Sequence, residues 1–261
     1  MPERLRDALL LKGGGVVSLV GAGGKTSLMF RLARELSAAG ETVLTTTTTR
    51  IFMPEEGQSR CVILADTAEE ILERAAQRLN EHRHLTAAAG LSADPGKLAG
   101  LTPHTVDRLW AAQVFDWIIV EADGAAGRPL KAPAEHEPVI PSCTGWLVGM
   151  VGLQALGKPL TDKWVFRAEL FSRITGLLPG TAVTEGTIAA ALVHAQGVLK
   201  GAPGECRCLA FLNQADAPGA RAVGLRIAGF LHRLGGSRIQ RTIVGQVQGE
   251  PPIAAVFDLS D

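Results

Sequence analysis

A short apolar run, Val16-Val17-Ser18-Leu19-Val20, leads directly into the glycine-rich stretch Gly21-Ala22-Gly23-Gly24-Lys25-Thr26-Ser27. The apolar run is typical of a buried strand in a parallel sheet. Apolar residues at helical spacing follow from Thr26 to Ala39, and Gly40 stands where a helix would end. A strand, a glycine-rich turn and a helix in this order predict a P-loop, the phosphate-binding loop of many nucleotide-binding proteins.

The glycine-rich stretch has the residues that a bound phosphate chain requires. Several backbone N–H groups must point at one place, and glycine permits the positive φ angles that this needs. The helix N-terminus adds roughly half a positive charge. We predict that Lys25 is catalytic and stabilises charge on the phosphates, and that the Thr26 hydroxyl binds Mg²⁺. The predicted nucleotide-binding residues of this stretch are Gly21, Ala22, Gly23, Gly24, Lys25, Thr26 and Ser27.

The motif is shorter than the full Walker pattern G-x-x-x-x-G-K-[ST], because Leu19 stands at the first glycine position. The pattern G-x-x-G-K-T that remains is similar to that of Mur-type ligases. A dinucleotide-binding G-x-G-x-x-G fingerprint would need glycine in place of Thr26. The alternative to a phosphate site is a strand-to-helix turn with an incidental lysine, which the order of the elements disfavours.

Apolar runs alternate with helix-like segments along the whole chain. This alternation predicts an α/β, P-loop NTPase-like three-layer fold, with a mostly parallel sheet covered by helices on both faces. Residues 1–261 are predicted to form a single domain, in which the helix-rich residues 152–204 could form a cap. His82 and His84 are assigned to the exposed, charged end of a helix. Strands are predicted at residues 16–20, 41–46, 61–64, 116–121, 146–151, 209–213, 239–247 and 253–257, and a helix at residues 163–175.

Two carboxylates lie at the end of the strand predicted at residues 116–121. Alternation along a strand places Glu121 and Asp123 on the same side, at the carboxyl edge where ligands bind. P-loop proteins need a carboxylate there to orient Mg²⁺. We predict that Glu121 and Asp123 are catalytic and, together with Thr26, bind the metal. The alternative is a solvated strand end.

A run of five threonines, Thr45–Thr49, follows the predicted P-loop helix. Threonine is β-branched and favours strands, which explains the run without a ligand. The run also lies at the carboxyl edge, and we predict that Thr47 and Thr48 contact phosphate, Mg²⁺ or a second substrate.

The loop after the acidic strand carries further polar candidates. Arg128 and Lys131 are predicted to bind an anionic substrate or the γ-phosphate, and His136 is predicted to contribute to the same site. Solvated loop charges are the alternative for Arg128 and Lys131.

Asn213-Gln214-Ala215-Asp216 follows a late predicted strand. GTPases read guanine with an N-K-x-D pattern at such a position, where the aspartate accepts N–H bonds from the base. Gln214 stands here in place of the lysine. We predict that Asn213, Gln214 and Asp216 contact the base, and a turn that caps the next helix is the alternative. The sequence therefore leaves GTP and ATP both open.

The charge balance argues against a nucleic-acid partner. The 261 residues include 26 Lys plus Arg and 26 Asp plus Glu, so the formal net charge is zero, whereas nucleic-acid-binding proteins usually have a basic excess. No run approaches the ~18–20 apolar residues that span a bilayer. We expect no membrane partner and a cytoplasmic location.

Motifs spread over most of the chain resemble those of one family. They are VGAGGKT at 20–26, LTTTT at 44–48, VEADG at 120–124, GRPLKAP at 127–133, EHEPVIP at 135–141, LGKPL at 156–160, KGAP at 200–203 and LNQAD at 212–216. The chain is similar to the YqeC-type accessory proteins of selenium-dependent molybdenum hydroxylases. One departure is Phe166 before Arg167, where histidine is expected in the family. The resemblance implies a nucleotide-dependent step in maturing or supplying such an enzyme, with the hydroxylase or its cofactor as partner.

Three functions are compatible with these residues. The first is a Mg²⁺-dependent protein that binds and hydrolyses a nucleoside triphosphate, GTP or ATP, as an accessory or maturation factor. The second is an ATP-dependent small-molecule ligase or kinase, which the Mur-like loop and the basic residues Arg128 and Lys131 favour. The third is a non-hydrolysing binding module that delivers a cofactor.

Overall fold

In the computed structural model, which describes residues 4–235 and 238–259, strands and helices alternate along the chain. The strands are β1 (Gly15–Gly21), β2 (Val43–Thr47), β3 (Arg50–Phe52), β4 (Val62–Leu64), β5 (His84–Ala88), β6 (Gly90–Leu91), β7 (Lys97–Ala99), β8 (Trp117–Glu121), β9 (Leu130–Lys131), β10 (Trp146–Gly152), β11 (Val165–Phe166), β12 (Arg207–Asn213), β13 (Ile239–Gly245) and β14 (Ile253–Asp258). The helices are α1 (Leu5–Ala8), α2 (Lys25–Ala38), α3 (Ala68–Arg78), α4 (Pro103–Ala111), α5 (Ala168–Thr175), α6 (Glu185–Val193) and α7 (Ala220–Arg233).

Nine strands form the central sheet in the order β14-β13-β12-β10-β1-β8-β2-β5-β4. All neighbouring strands are parallel except β13 and β14, so the prediction of a mostly parallel sheet is confirmed. Strand β1 lies between β10 and β8. The turn after β1 therefore lies near the middle of the carboxyl edge, beside the end of the acidic strand β8.

Alternating side chains of the central strands enter two separate cores. Val16 and Val20 belong to the core that α3, α4, α5, α6 and α7 cover. Val17 and Leu19 belong to the core on the other face, which α1 and α2 cover. Because helices pack on both faces, the predicted three-layer α/β fold is confirmed. Residues 152–204 supply α5 and α6, whose apolar side chains share a core with the sheet.

The segment after α3 is a strand of the central sheet, so the prediction of an exposed helix end at His84 is wrong. Strand β5 lies between β2 and β4, and the His84 ring nitrogen Nε2 lies 2.9 Å from Thr45 Oγ1. Burial lowers the pKa of His84 to about 4. Leucine and alanines in β5 have helical propensity, but pairing on both edges of the strand outweighs that local preference.

Helix α5 begins five residues later than predicted. Arg167 adopts a left-handed conformation with φ 63° and ψ 60°, which excludes it and the residues before it from the helix. Val165 and Phe166 instead pair with Leu130 and Lys131 as β11 and β9. This pairing brings Arg167 next to the loop that follows the acidic strand.

A second sheet of three antiparallel strands, β3, β7 and β6, was not predicted. It contributes Arg50 and Phe52 to the cavity described below. Across residues 4–235 and 238–259, each helix is too short or too polar to pass through a lipid bilayer.

Candidate functional site

The turn between β1 and α2 depends on glycine. Gly21, Gly23 and Gly24 have φ angles of 88°, 85° and 115°, which other residues rarely adopt. A Cβ atom on Gly21 would lie 2.3 Å from the carbonyl oxygen of Met150. A Cβ atom on Gly23 would lie 2.4 Å from the backbone nitrogen of Gly152. Neighbouring strand β10 therefore leaves no room for a side chain in the turn.

The turn presents backbone donors at the N-terminus of α2. Ala22 N–H bonds to the Met150 carbonyl. In the part of the chain that the structure describes, the N–H groups of Gly23, Gly24, Lys25 and Thr26 make no backbone hydrogen bond outside the helix. A helix start leaves the N–H groups of Gly24, Lys25 and Thr26 unsatisfied, and together with Gly23 N–H they form a site that favours an anion.

Replacing Gly23 with alanine is expected to lower the free energy of unfolding by about 1–3 kcal/mol, because the new Cβ atom would force a left-handed residue against the backbone of β10. Urea unfolding measures the change. Gly57 is the matched control, since its Cβ would meet no atom within 4 Å. Equal stability of the two alanine variants would contradict the close approach at Gly23.

Lys25 is buried at the start of α2 among acceptors. Its Nζ donates to the Gly21 carbonyl at 2.6 Å and lies 3.1 Å from Asp123 Oδ1 and 3.8 Å from Glu121 Oε1. Burial alone would lower the pKa of Lys25, but the carboxylates of Asp123 and Glu121 raise it above its ordinary value. The lysine therefore carries a full positive charge beside the unbonded N–H groups of the turn.

The two predicted carboxylates lie together at the end of β8. Glu121 Oε2 accepts a hydrogen bond of 2.6 Å from the Thr26 hydroxyl, and Asp123 Oδ2 accepts one of 2.9 Å from Gly21 N–H. Burial raises the pKa of Glu121, and Lys25 and Thr26 oppose this shift. The structure thus brings Lys25, Thr26, Glu121 and Asp123 into one cluster, as the sequence predicted.

Lys131 lies inside this cluster instead of on a solvated loop. Its Nζ is 3.0 Å from Asp123 Oδ2 and 2.7 Å from Glu137 Oε2, and it donates to the Gly124 carbonyl at 2.6 Å. Only 1% of the side chain is exposed, and Lys131 does not line the cavity. Lys131 therefore holds the carboxylates of Asp123 and Glu137 in place. Its predicted contact with a bound anion stays a prediction.

Glu137 connects Lys131 to Arg167. Its Oε2 atom also accepts a hydrogen bond of 2.5 Å from Arg167 Nη1. Burial works against the charged carboxylate, but the hydrogen bonds from Arg167 and Lys131 lower the pKa of Glu137 to about 2. A chain of alternating charges thus runs from Lys25 through Asp123, Lys131 and Glu137 to Arg167.

The depressed pKa of Glu137 predicts a pH-dependent contribution to stability. The contribution is present above the ordinary carboxyl value of 4.5 and is lost as the pH falls through about 2, because protonation removes the charge that Lys131 and Arg167 bind. Unfolding free energies of the wild type and Glu137→Gln, measured from about pH 6 to about pH 2, should converge at the acid end. A difference in unfolding free energy between the two proteins that does not change with pH would contradict the prediction.

The threonine run mainly anchors the end of β2. Thr47 Oγ1 donates to the Glu121 carbonyl at 2.8 Å and is buried, and Thr48 Oγ1 donates to the Val139 carbonyl at 2.6 Å. Thr45 and Thr46 bond within the sheet. Thr48 lines the cavity and Thr47 does not. The predicted ligand contacts of Thr47 and Thr48 stay a prediction.

The cluster opens into a cavity of about 1030 Å³. This volume lies at the upper end of the ~300–1,000 Å³ typical of small-molecule sites. Of the residues predicted from sequence, those that line it are Gly23, Gly24, Lys25, Thr26, Ser27, Thr48, Glu121, Asp123, Arg128, His136 and Gln214. The walls also include residues to which the sequence assigned no role, among them Arg50, Phe52, Glu137, Phe166 and Arg167. Glu137 lies in the family-like motif EHEPVIP, and Arg167 follows Phe166, where the sequence departs from the family. The family resemblance was therefore the one signal in the sequence that could have pointed to these two residues.

The predicted base-reading residues are divided between two places. Asn213 is buried and braces the turn, since its Nδ2 donates to the Gly23 carbonyl at 2.7 Å and its Oδ1 accepts from Val247 N–H at 2.9 Å. Gln214 has φ 61° and lines the cavity. Asp216 is exposed and is not among the lining residues. The structure therefore does not bring Asp216 to the phosphate turn.

The oxygen atoms of the cluster suit a hard cation such as Mg²⁺, which would also bind oxygens of the ligand. Asp123 Oδ1 is buried, and its partner among residues 4–235 and 238–259 is the Lys25 ammonium at 3.1 Å, while Thr26 and Glu121 add further oxygens. Those residues contain no group of three His, Cys, Asp or Glu side chains that could hold a metal by themselves. Mg²⁺ is usually held by one or two carboxylates together with water and phosphate oxygens, so the cluster fits it.

Comparison with known proteins places the chain in a family. The YqeC protein family matches residues 17–169, which include the phosphate turn, the acidic strand end and Arg167. The chain belongs to the YqeC family. It is 39% identical over 204 residues to "Uncharacterized protein YqeC" of Escherichia coli (strain K12), an alignment that covers 76% of this chain and 75% of that protein.

A solved structure with a distant likeness is the succinoaminodeoxyadenylate synthetase (PurZ) of cyanophage S-2L, bound to dGMP and to dATP as an energy donor. The TM-score is 0.37 and the sequence identity 14%, over 95% of this chain and 96% of the synthetase.

Proposed function

We propose that this YqeC-family protein binds the Mg²⁺ complex of a nucleoside triphosphate, GTP or ATP, at residues 21–27 and hydrolyses it. The observation that carries the proposal is the turn after β1. It combines unbonded N–H groups, a charged buried lysine and the Thr26–Glu121 hydrogen bond at the wall of one cavity. These are the parts that phosphoryl-transfer sites use to bind and neutralise a phosphate chain.

Each residue of the cluster has a defined role in this proposal. The N–H groups of residues 23–26 would bind phosphate oxygens, and Lys25 would exchange its contact with Asp123 for the phosphates. Thr26, Glu121 and Asp123 would hold Mg²⁺, which neutralises charge on the phosphate chain. Asn213 keeps the turn in shape through the Gly23 carbonyl.

The test of this proposal is titration calorimetry with GTP and with ATP, each with Mg²⁺ and with a chelator, followed by an assay of released phosphate. Binding that requires Mg²⁺, with phosphate release, supports the proposal. If neither GTP nor ATP binds, the proposal is wrong. Tight binding of the nucleotide without release of phosphate, even when the hydroxylase is present, would favour the non-hydrolysing module that delivers a cofactor.

The identity of the base has its own test. Asp216→Ala should weaken GTP binding and leave ATP binding unchanged if Asp216 reads guanine. Because Asp216 is exposed outside the cavity, a loop movement would have to bring it to the base. Equal GTP affinity in the wild type and Asp216→Ala would remove Asp216 from the site.

The family resemblance supports a proposal for the biological role. We propose that the nucleotide-dependent step matures or supplies a selenium-dependent molybdenum hydroxylase in the cytoplasm, with the hydroxylase or its cofactor as partner. Stimulation of phosphate release by the purified hydroxylase in its immature form would support this role. An unchanged rate, with no complex on size-exclusion chromatography, would contradict it.

An ATP-dependent ligase or kinase is the second candidate. The size of the cavity favours it, because the walls extend from the phosphate turn to Phe52 of β3 and Arg167 at the start of α5. Phosphate release that appears only when a small acid is added would distinguish this candidate from a simple hydrolase.

A further inference from the structure

The cavity continues beyond the cluster that would hold the phosphate chain. Its far walls come from the loop at residues 124–128, from β3 and from the junction of β11 and α5. Three arginines, Arg50, Arg128 and Arg167, lie on these walls, and Arg50 is paired with Asp94 at 3.0 Å. Lys131, a further cation of this region, is buried between Asp123 and Glu137 and does not line the cavity.

Arg167 is held in a fixed position. Its backbone is left-handed, with φ 63° and ψ 60°, a conformation that a non-glycine residue seldom adopts and that often marks functional sites. Its Nη1 donates to Glu137 Oε2 at 2.5 Å and to the Ala132 carbonyl at 3.2 Å. The guanidinium carbon lies 4.3 Å from the centre of the Phe166 ring, which limits rotation of the guanidinium plane.

Arg128 and Arg167 both keep donors for a ligand. Within the described ranges, Arg167 makes side-chain hydrogen bonds only through Nη1. Arg128 uses Nε for the Asp162 carbonyl at 3.0 Å and Nη1 for the Ala126 carbonyl at 2.6 Å, which leaves Nη2 without an acceptor there. Unlike Arg167, Arg128 has no carboxylate within ion-pair distance in the described part of the chain.

A short structural link joins the two chain segments that carry these arginines. Arg128 holds the Asp162 carbonyl, and the Asp162 carboxylate accepts a hydrogen bond of 3.1 Å from Ala168 N–H, the residue after Arg167. Asp162 therefore joins the loop of Arg128 to the start of α5. The guanidinium N–H groups that remain suit the paired oxygens of a carboxylate or a phosphate.

We propose that Arg128 and Arg167 form a second anion-binding subsite, separate from the turn at residues 21–27, that binds the carboxylate or phosphate group of a second substrate. This inference rests on the proposed function, because it places an acceptor in the same cavity as the nucleoside triphosphate. The buried chain from Lys25 to Arg167 would hold the two subsites in a fixed relation.

The experiment uses the full chain saturated with Mg²⁺ and a non-hydrolysable GTP or ATP analogue, so that the phosphate turn is filled. Inorganic phosphate and succinate are then titrated separately, and tryptophan fluorescence is followed because Trp164 lies three residues before Arg167. We expect saturable binding of one anion. Tighter binding of phosphate indicates a phosphorylated substrate, and tighter binding of succinate indicates a carboxylate substrate.

Four variants decide whether the arginines form the subsite. Arg128→Gln and Arg167→Gln should each weaken binding of the anion about tenfold or more, since each removes a charge-assisted donor pair. Arg167→Lys should retain part of the affinity and controls for folding, because it keeps a charge beside Glu137. Arg173→Gln is the matched control on α5, where 75% of the side chain is exposed, and it should bind as the wild type does.

The outcomes separate this inference from the proposed function. The subsite proposal is wrong if Arg128→Gln and Arg167→Gln bind the anion with wild-type affinity. It is also wrong if neither phosphate nor succinate shows saturable binding. If the nucleotide analogue itself does not bind, the proposed function fails and the titration is repeated without it. Anion binding that then depends on Arg167 still supports the subsite, whereas binding that is lost only in Lys25→Ala assigns the anion to the turn and overturns it.

Discussion

Replacing Lys25 with alanine is expected to weaken binding of the Mg²⁺–nucleotide complex about 100-fold, since charge-assisted hydrogen bonds contribute about 1.5–3 kcal/mol each. The loss should be large because Lys25 also neutralises Asp123, which lies 3.1 Å away, and Glu121. Without the ammonium group, these buried carboxylates would repel the phosphates. Titration calorimetry with GTP and ATP measures the change.

The matched control for this experiment is Lys163→Ala, because Lys163 is exposed and lies outside the cavity lining. This variant should bind nucleotide as the wild type does. Urea unfolding of both variants shows whether lost binding reflects lost folding. Wild-type affinity in a folded Lys25→Ala protein would mean that the nucleotide binds elsewhere, and the proposed function would fail with it.

Replacing Lys131 with methionine is expected to lower the free energy of unfolding by about 3–5 kcal/mol, the usual cost of removing one partner from a buried ion pair. Lys131 is 1% exposed and lies between Asp123 and Glu137. Methionine fills a similar volume but leaves both carboxylates without their shared cation. Urea unfolding at neutral pH measures this loss.

Two further variants define the source of that loss. Lys97→Met is the matched control, since Lys97 is partly exposed and its partner Asp94 is solvated, and it should change stability by less than about 1 kcal/mol. The double variant Lys131→Met with Glu137→Gln should recover part of the stability, because removing one carboxylate restores the charge balance among Lys25, Asp123, Glu121 and Arg167. A loss at Lys131 no larger than the loss at Lys97 would show that the charge chain does not stabilise the fold.

Local features of the sequence were sufficient to predict the parts of the fold that depend on neighbouring residues. The apolar run at residues 16–20, the glycines of the turn and the helix after Lys25 form a strand, a left-handed turn and α2, as predicted. The alternation of strands and helices likewise predicted the parallel sheet. These patterns succeed because backbone conformation and one-sided burial are set within about ten residues.

Features that depend on distant partners were missed or misplaced. Strand β5 has a helix-favouring sequence and becomes a strand only because β2 and β4 pair with it. Asp216 was expected to read a base from its place in a motif, but the structure leaves it exposed while Asn213 turns inward to brace Gly23. Sequence spacing does not report which of two polar residues faces a cavity.

The sequence by itself determined the class of this protein: an α/β fold of the YqeC family with a glycine-rich turn before a helix and two carboxylates on a nearby strand end. Only the tertiary structure decided which charges face one another. Lys131, predicted as a loop cation, became the buried partner of Asp123 and Glu137, and Arg167 reached the cavity because β11 pairs with β9. The physical reason is that charge pairing acts through space between segments far apart in the chain, whereas the turn follows from the φ angles that its own residues allow.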